Sequence, residues 1–359
     1  MANVLISVLI DTYNHEQFIE QAIASVLEQD FAQSDVEIVV VDDGSTDRTP
    51  EIIRRFEPHV RLIRKTNGGQ ASAFNLGIPQ CKGEIIAFLD GDDWWARGKL
   101  RSVAEQMRND KSIGMIGHAI VQSYSDGREV VIALEQGERL RLNSKETAEI
   151  LRLHRCYLGT SRLTLRSSIA RQVLPIPETL IFEADEYLFT VAGILADFMI
   201  LTEPLSYYRI HGANLFVAPG SGPDGIRRKQ RVLAALAASL RNDLARYGLG
   251  TEASECVLEL VEAEARQLRL MLDGGKPWET FRTEGTMYRI QHADASWTQK
   301  IFRQTTMILA LVLPPRWFYA ARRWIGGQAW YQHARKEVLQ VPGITKTSLP
   351  QNLNDEGRP

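Results

Sequence analysis

Cysteine is scarce and scattered: Cys81, Cys156 and Cys256 are the only three in 359 residues, and none forms a CxxC pair. That excludes a disulfide framework or a cysteine zinc site and fits a reducing compartment. A charge excess of one sign is also missing, because 42 Lys and Arg face 44 Asp and Glu for a net of -2. General nucleic-acid binders carry a basic excess, so no nucleic-acid partner is expected. No apolar run reaches the roughly 18 residues needed to span a bilayer. The longest, Met307 to Leu313, stops at Pro314-Pro315. The N-terminus lacks the basic flank and cleavage site of a signal peptide, so a soluble, cytoplasmic chain is expected. No GxxxxGKS/T occurs and no GxGxxG follows any of the short apolar runs before residue 90, which counts against P-loop NTPases and dinucleotide oxidoreductases. His15-Glu16 does not begin HExxH, since position 19 is Ile.

What is present is globular: 44% of residues are apolar and 24% charged. At ~150 residues per domain, about two domains are expected. Val4–Ile10, Val36–Val41, Val60–Ile63 and Ile85–Leu89 are short apolar runs of strand length. Between the first two, Phe18, Ala22, Ile23, Val26 and Leu27 recur at helical spacing, with Asn14 and Gln17 placed as a capping box. Thr49-Pro50-Glu51 reads as a second helix start. This alternation predicts an α/β fold with a mostly parallel, Rossmann-like sheet flanked by helices. Met115–Val121, Val130–Leu134 and Phe198–Leu201 continue it as strands and Asp185–Leu195 as a helix. After the Pro/Gly break at 218–225, two apolar stripes (Val232 to Leu244 and Val257 to Leu272) form a C-terminal helical region joined as a hairpin.

Parallel sheets hold ligands beyond the carboxyl ends of their strands. There the sequence places four polar clusters: Asp11-Thr12-Tyr13-Asn14, Asp42-Asp43-Gly44-Ser45, Asn67-Gly68-Gly69-Gln70 and Asp90-Gly91-Asp92-Asp93. Asp90 and Asp92, separated by Gly91, can address one point, and such hard oxygen ligands suit Mn2+ or Mg2+ beside phosphate oxygens. A solvated acidic turn is the plainer use of such a triplet. A carboxylate at Asp43 can accept from a base N–H or a ribose hydroxyl, or can start an Asx turn. The Asn67-Gly68-Gly69 amides can approach a phosphate.

Ser7-Val-Leu-Ile-Asp-Thr-Tyr-Asn14, Val39-Val-Val-Asp-Asp-Gly-Ser-Thr-Asp47, Asn67-Gly-Gly-Gln70, Asn75-Leu-Gly77 and Phe88-Leu-Asp-Gly-Asp-Asp93 together resemble glycosyltransferase family 2, with the GT-A fold. The likeness runs over residues 4–100 and more loosely to about 215. It implies an inverting transfer from a nucleotide-diphosphate sugar, most often UDP-linked. By resemblance, Thr12, Tyr13 and Asn14 line the nucleotide pocket with Asp11 beside them. Asp43 reads the base, Asp90 lies near the ribose, and Asp92 binds the metal bridging the diphosphate. Asn67, Gln70 and Gly91 join the donor-binding set. The family's later acidic pair falls on Phe182-Glu183-Ala184-Asp185-Glu186. Asp185 takes the Asp position and is the expected catalytic base. Ala184 replaces the usual Glu, leaving Glu183 and Glu186 as competitors. One base suffices, because the metal stabilises the leaving phosphate.

Tyr207-Tyr208-Arg209-Ile210-His211 resembles the segment closing this domain, so His211 is a candidate metal ligand or diphosphate contact, and Arg209 a phosphate partner. The Gln-x-x-Arg-Trp motif of processive relatives is missing, which points to single addition. From Ile301 to Ile325 an apolar stretch is interleaved with Arg316, Trp317, Arg322, Arg323 and Trp324. That mixture suits a membrane-surface contact at the inner face of the plasma membrane; a core or oligomer-facing helix is the commoner use of such a stripe. The division expected is 1–217 catalytic, 226–340 helical for acceptor, membrane or oligomer contact, and 341–359 a flexible tail. The acceptor is expected to be a glycan or lipid-linked hydroxyl. Two rivals remain: a nucleotide-sugar-binding module without catalysis, kept open by Ala184, and a sugar nucleotidylyltransferase, whose basic glycine-rich signature Met1–Gln17 lacks.

Overall fold

The computed structural model describes residues 6–211, 222–291, 307–326 and 344–348. Strands β1 (Ile6–Thr12), β2 (Val36–Asp42), β3 (Val60–Arg64) and β4 (Ile85–Asp90) form a parallel block in the order β3-β2-β1-β4. Their side chains divide by alternation. Ile6, Val8, Ile10, Ile38, Val40 and Leu89 face one layer of helices. Leu9, Val39, Val41, Ile86 and Phe88 face the other. Both faces are dry, which is why these strands read as unbroken apolar runs. Between the strands, α1 (Ile19–Leu27), α2 (Thr49–Arg54) and α3 (Gln70–Gly77) provide the crossovers. Ile19, Ile23 and Val26 of α1 are fully buried, each worth roughly 1.5–3 kcal/mol.

The chain leaves β1 towards β2 on one side and has β4 on the other, so the order reverses between β1 and β4. Ligands of open α/β sheets sit at such a switch point. Past β4 the sheet becomes mixed: β9 (Thr164–Arg166) pairs antiparallel with β4 and with β6 (Ile113–Tyr124). The strand expected over 198–201 is the start of a longer one, β10 (Asp197–Ile210), parallel to β6. Its register slips around Pro204, which has no N–H to donate. The polar and proline residues 202–204 hid this continuation from the sequence pattern. The short β5 (Trp94–Trp95) pairs with Ser206 and Tyr207 of β10, tying the segment after the acidic triplet to the strand that ends at residue 210.

After α4 (Lys99–Asn109), α5 (Lys145–His154) and α6 (Ser167–Val173), helix α7 (Ala184–Leu195) packs beneath the sheet, and α8 (Pro223–Arg246) and α9 (Thr251–Asp273) form the expected hairpin. Leu233, Leu236 and Leu240 of α8 and Val257 and Val261 of α9 join the same buried cluster as Leu9 and Phe88, so the helices complete the core of the sheet. One expectation changes. Asn14 does not cap α1: it adopts a left-handed φ of 55°, and its Oδ1 accepts from the N–H of Thr46 at 2.8 Å. Ile344–Ser348, inside the expected flexible tail, pairs antiparallel with β7 (Glu129–Leu134).

Candidate active site

Parallel register sets Asp11 beside Asp90 and Thr12 beside Asp42, so the ends of β1, β2 and β4 share one rim. Gly91 donates its N–H to the Asp11 carbonyl at 2.9 Å. A Cβ on Gly91 would lie 2.5 Å from Thr12 Oγ1 and 2.8 Å from His15 Nδ1. Glycine is therefore required for the triplet to pack against β1. Tyr13 projects from the same rim and is exposed, while Asn14 and the Ser45 Oγ clamp the loop after β2.

Asp43 sits one residue beyond β2. Its carboxylate accepts from Lys65 Nζ at 2.6 Å and from the N–H groups of Gly68 and Gly69 at 2.9 and 2.7 Å. Asn67 Nδ2 donates to the Asp43 carbonyl at 3.0 Å. The glycine amides expected to approach a phosphate are thus committed to the chain's own carboxylate, which being buried needs donors of its own. Gln70 is a strut: Nε2 donates to Thr160 Oγ1 and Oε1 accepts from the Ala184 N–H, both at 3.0 Å.

The electrostatics of the rim are dominated by acids. Burial pushes the Asp11 and Asp90 carboxyls well above the ordinary range, and Asp185 and Asp92 add to the shift at both. Asp11 and Asp90 are register partners, Asp92 follows by two residues, and the adjacent Thr160 and Ser161 bond Asp185 and Asp90, so the four acids lie at one rim. Oδ1 of Asp11 is buried without a hydrogen-bond partner among the described residues. Asp92 behaves differently. Burial would raise it, but a hydrogen bond from His211 and the fields of His15 and His211 hold it below the ordinary carboxylate range. His211 Nε2 lies 3.0 Å and His15 Nε2 4.0 Å from Asp92 Oδ2. His211 reaches this place because Tyr207 stacks on Trp94 and the Arg209 N–H bonds Asp93 at 2.9 Å. The Arg209 guanidinium donates to the Asp92 carbonyl and lies over Phe18 and Trp94, so it braces the triplet.

Asp185 stands in the first turn of α7. Its Oδ2 accepts from both the N–H and the Oγ1 of Thr160, at 2.9 and 3.0 Å. Its two competitors have other environments. Glu186 is buried against Arg155 at 2.9 and 3.0 Å, which uses its oxygens in an ion pair. Glu183 has a left-handed φ of 62° and a buried Oε1 with no partner among the described residues. Burial, with Glu186 and Asp185 nearby, pushes its carboxyl well up.

Comparison with known proteins gives a direct answer. Residues 7–171 match the sequence family described as Glycosyl transferase family 2. An uncharacterized glycosyltransferase of Nostoc sp. is 33% identical over 253 residues, covering 68% of this chain and 77% of that protein. The chain belongs to glycosyltransferase family 2. The poly(ribitol-phosphate) beta-N-acetylglucosaminyltransferase TarS of Staphylococcus aureus is 32% identical over 128 residues, 33% of this chain but only 22% of TarS. The crystal structure of TarS 1-349 with UDP-GlcNAc superposes with a TM-score of 0.54 at 20% identity over 80% of this chain and 81% of that one. The mannosyltransferase PcManGT of Pyrobaculum calidifontis, with GDP-Man and Mn2+, gives 0.53 at 20% over 94% and 87%. At such identities the likeness is one of fold, and the fold is GT-A.

This glycosyltransferase also holds site residues that the sequence did not single out. Ser161 accepts the Asp90 N–H at 3.1 Å and donates to Asp93 at 2.6 Å. Its carbonyl takes Lys99 Nζ at 2.7 Å and Trp95 Nε1 at 3.0 Å. Thr160 and Ser161 thus fix Asp185 on one side and the acidic triplet on the other. Gly159-Thr-Ser161 carries no motif, so only the fold exposes it. Burial, with Asp92 alongside, lifts the Asp93 carboxyl to about 7. Among the described residues no group of three or more His, Cys, Asp or Glu side chains could hold a metal ion by itself. Asp92 and His211, 3.0 Å apart, are side chains of the right chemistry to hold one between them, beside several carboxylates and the unpartnered Asp11 oxygen. This donor set fits an ion such as Mn2+ or Mg2+ that takes its remaining ligands from phosphate and water.

Proposed function

We propose that this glycosyltransferase moves one sugar from a nucleotide-diphosphate sugar to an acceptor hydroxyl, with inversion and with Mn2+ or Mg2+. The observation that supports the reading is the convergence of Asp11, Asp90, Asp92 and Asp185 at one rim, at the switch point of the sheet. Asp185 takes the acceptor proton as the acceptor oxygen bonds the anomeric carbon, and the bond to the diphosphate breaks on the opposite face. Thr160 and the backbone N–H of Glu186 orient that carboxylate. When bound, the divalent cation neutralises charge developing on the leaving phosphate. Asp92 and His211 would hold it. Thr12, Tyr13, Asn14, Asp43, Asn67, Gln70, Asp90 and Gly91 frame the nucleotide, with Asp43 for the base and Asp90 near the ribose.

TarS binds UDP-GlcNAc and PcManGT binds GDP-Man with Mn2+. A UDP-linked donor follows the first of these, and the second supports metal use. The acceptor is proposed to be a cell-surface glycan or lipid-linked hydroxyl. We assign catalysis to residues 1–217 and contact with the acceptor to the helices beyond 226.

A thermal-shift screen of nucleotide sugars with and without Mn2+ tests the reading, since a ligand at 100 times its Kd adds about 2.7 kcal/mol of stability. One UDP-sugar is expected to raise Tm only with metal, and turnover is expected to release UDP. Release of pyrophosphate from a nucleoside triphosphate and a sugar phosphate would instead mark a nucleotidylyltransferase.

A further inference from the structure

Ten large hydrophobic side chains are exposed among the described residues, and six of them fall between Ile308 and Trp324. Ile308 is 62% and Val312 70% exposed on the short helix 307–312, with Leu309 and Leu311 also open. The helix Pro315–Gly326 follows directly. Its inner stripe, Phe318 and Tyr319, packs with Leu270 and Ala310. Its outer stripe is exposed. Trp317 and Trp324, 72% and 67% exposed, are seven residues apart, two helical turns, and so lie on one side. Arg316 and Arg323 are exposed at the same spacing beside them. Arg322 turns the other way, to an ion pair with Glu284.

Charge decides what this face fits. The sequence has no Asp or Glu between Asp294 and Glu337, although it has seven Lys and Arg there, within a chain whose net charge is -2. A symmetric contact between two copies would press the Arg316 and Arg323 stripes together without an acid to meet them. An anionic lipid surface meets both requirements at once. Aliphatic and tryptophan side chains enter the acyl boundary while arginines reach the headgroups. Among the described residues no helix is long and apolar enough to cross a membrane, so the contact is a surface one.

We propose that residues 307–325 form a docking face for an anionic bilayer, with Trp317 and Trp324 as the inserted anchors and Arg316 and Arg323 as the headgroup contacts. Vesicle flotation of the full chain tests this, using phosphatidylcholine vesicles with and without phosphatidylglycerol. The chain is expected to float with the anionic vesicles, and added salt is expected to release it. Trp317→Ser with Trp324→Ser is expected to lower partitioning about tenfold or more on either vesicle. Arg316→Gln and Arg323→Gln are each expected to lower it roughly fivefold on the anionic vesicles alone. All four positions are exposed, so unchanged thermal unfolding is expected and confirms that the variants fold. The proposal is overturned if the full chain floats with neither vesicle, or if the tryptophan variant floats as the parent does. A tryptophan variant that turns a dimer into a monomer by light scattering, with no vesicle binding in the parent, would make the face a contact between copies.

Discussion

The two halves of the site are built in different ways. On the proposed donor side, Asp11, Asp43, Asp90 and Asp92 each lie at or just past the end of a buried parallel strand, and the register of the sheet sets their starting positions. On the far side, Asp185 sits in a helical turn and is oriented by Thr160, 25 residues away in the chain. The Gln70 strut, 114 residues from Ala184, holds that turn to α3. The strand-end acids start from positions fixed by the sheet, whereas Asp185, the proposed base, takes its orientation from Thr160 and the first turn of α7, so the two halves should respond differently to substitution.

The sharpest break is Asp185→Asn. Loss of a general base is expected to lower kcat by about 10²–10⁴-fold while donor binding persists, measured by turnover and by calorimetry with the nucleotide sugar. Glu186→Gln is expected to leave far more turnover, because that carboxylate is engaged with Arg155. Equal losses in both variants would remove the assignment of the base. On the donor side, Asp92→Asn is expected to weaken metal-supported donor binding by about 10–100-fold, the scale of losses at metal sites. Metal dependence unchanged by titration calorimetry would exclude Asp92 as a ligand.

A finer test of the far half is Thr160→Val, which removes the Oγ1 bonds to Asp185 and Gln70 and keeps the N–H bond. One such bond is worth about 1 kcal/mol, so kcat should fall several-fold, by more than any change in donor affinity measured by calorimetry. The smallest expected effect lies behind the rim. His118 is fully buried between the Ala119 carbonyl and Ser206, and burial, with Lys99 near, holds it well below its ordinary 6.5. Below pH 6.5 the unfolded chain gains a proton there that the folded chain refuses. Stability is therefore lost as pH falls, at up to about 1.4 kcal/mol per pH unit from this group. Compared with His118→Gln, the parent should lose Tm more steeply between pH 6.5 and 5; parallel curves would mean His118 takes up its proton in the fold.

Much of the donor half was legible because its chemistry follows apolar strands directly, as Asp90-Gly91-Asp92 follows Ile85–Leu89. The four parallel strands β1 to β4 were found within two residues at each end. Asn14 was misread because its capping spacing resembled that of a helix start, whereas its left-handed turn serves the loop after β2. The glycine amides at 68 and 69 were assigned to phosphate because nothing local shows that the Asp43 carboxylate already takes them.

Sequence alone set the alternation of strands and helices, the buried sheet and the polar residues at its strand ends, since periodicity and burial are local consequences of side-chain type. Tertiary structure alone bonded Asp185 to Thr160, committed Glu186 to Arg155, and brought His211 to Asp92 through the pairing of β5 with β10. Those choices depend on contacts between residues far apart in the chain, and a hydrogen bond's partner is set by where the folded backbone delivers it.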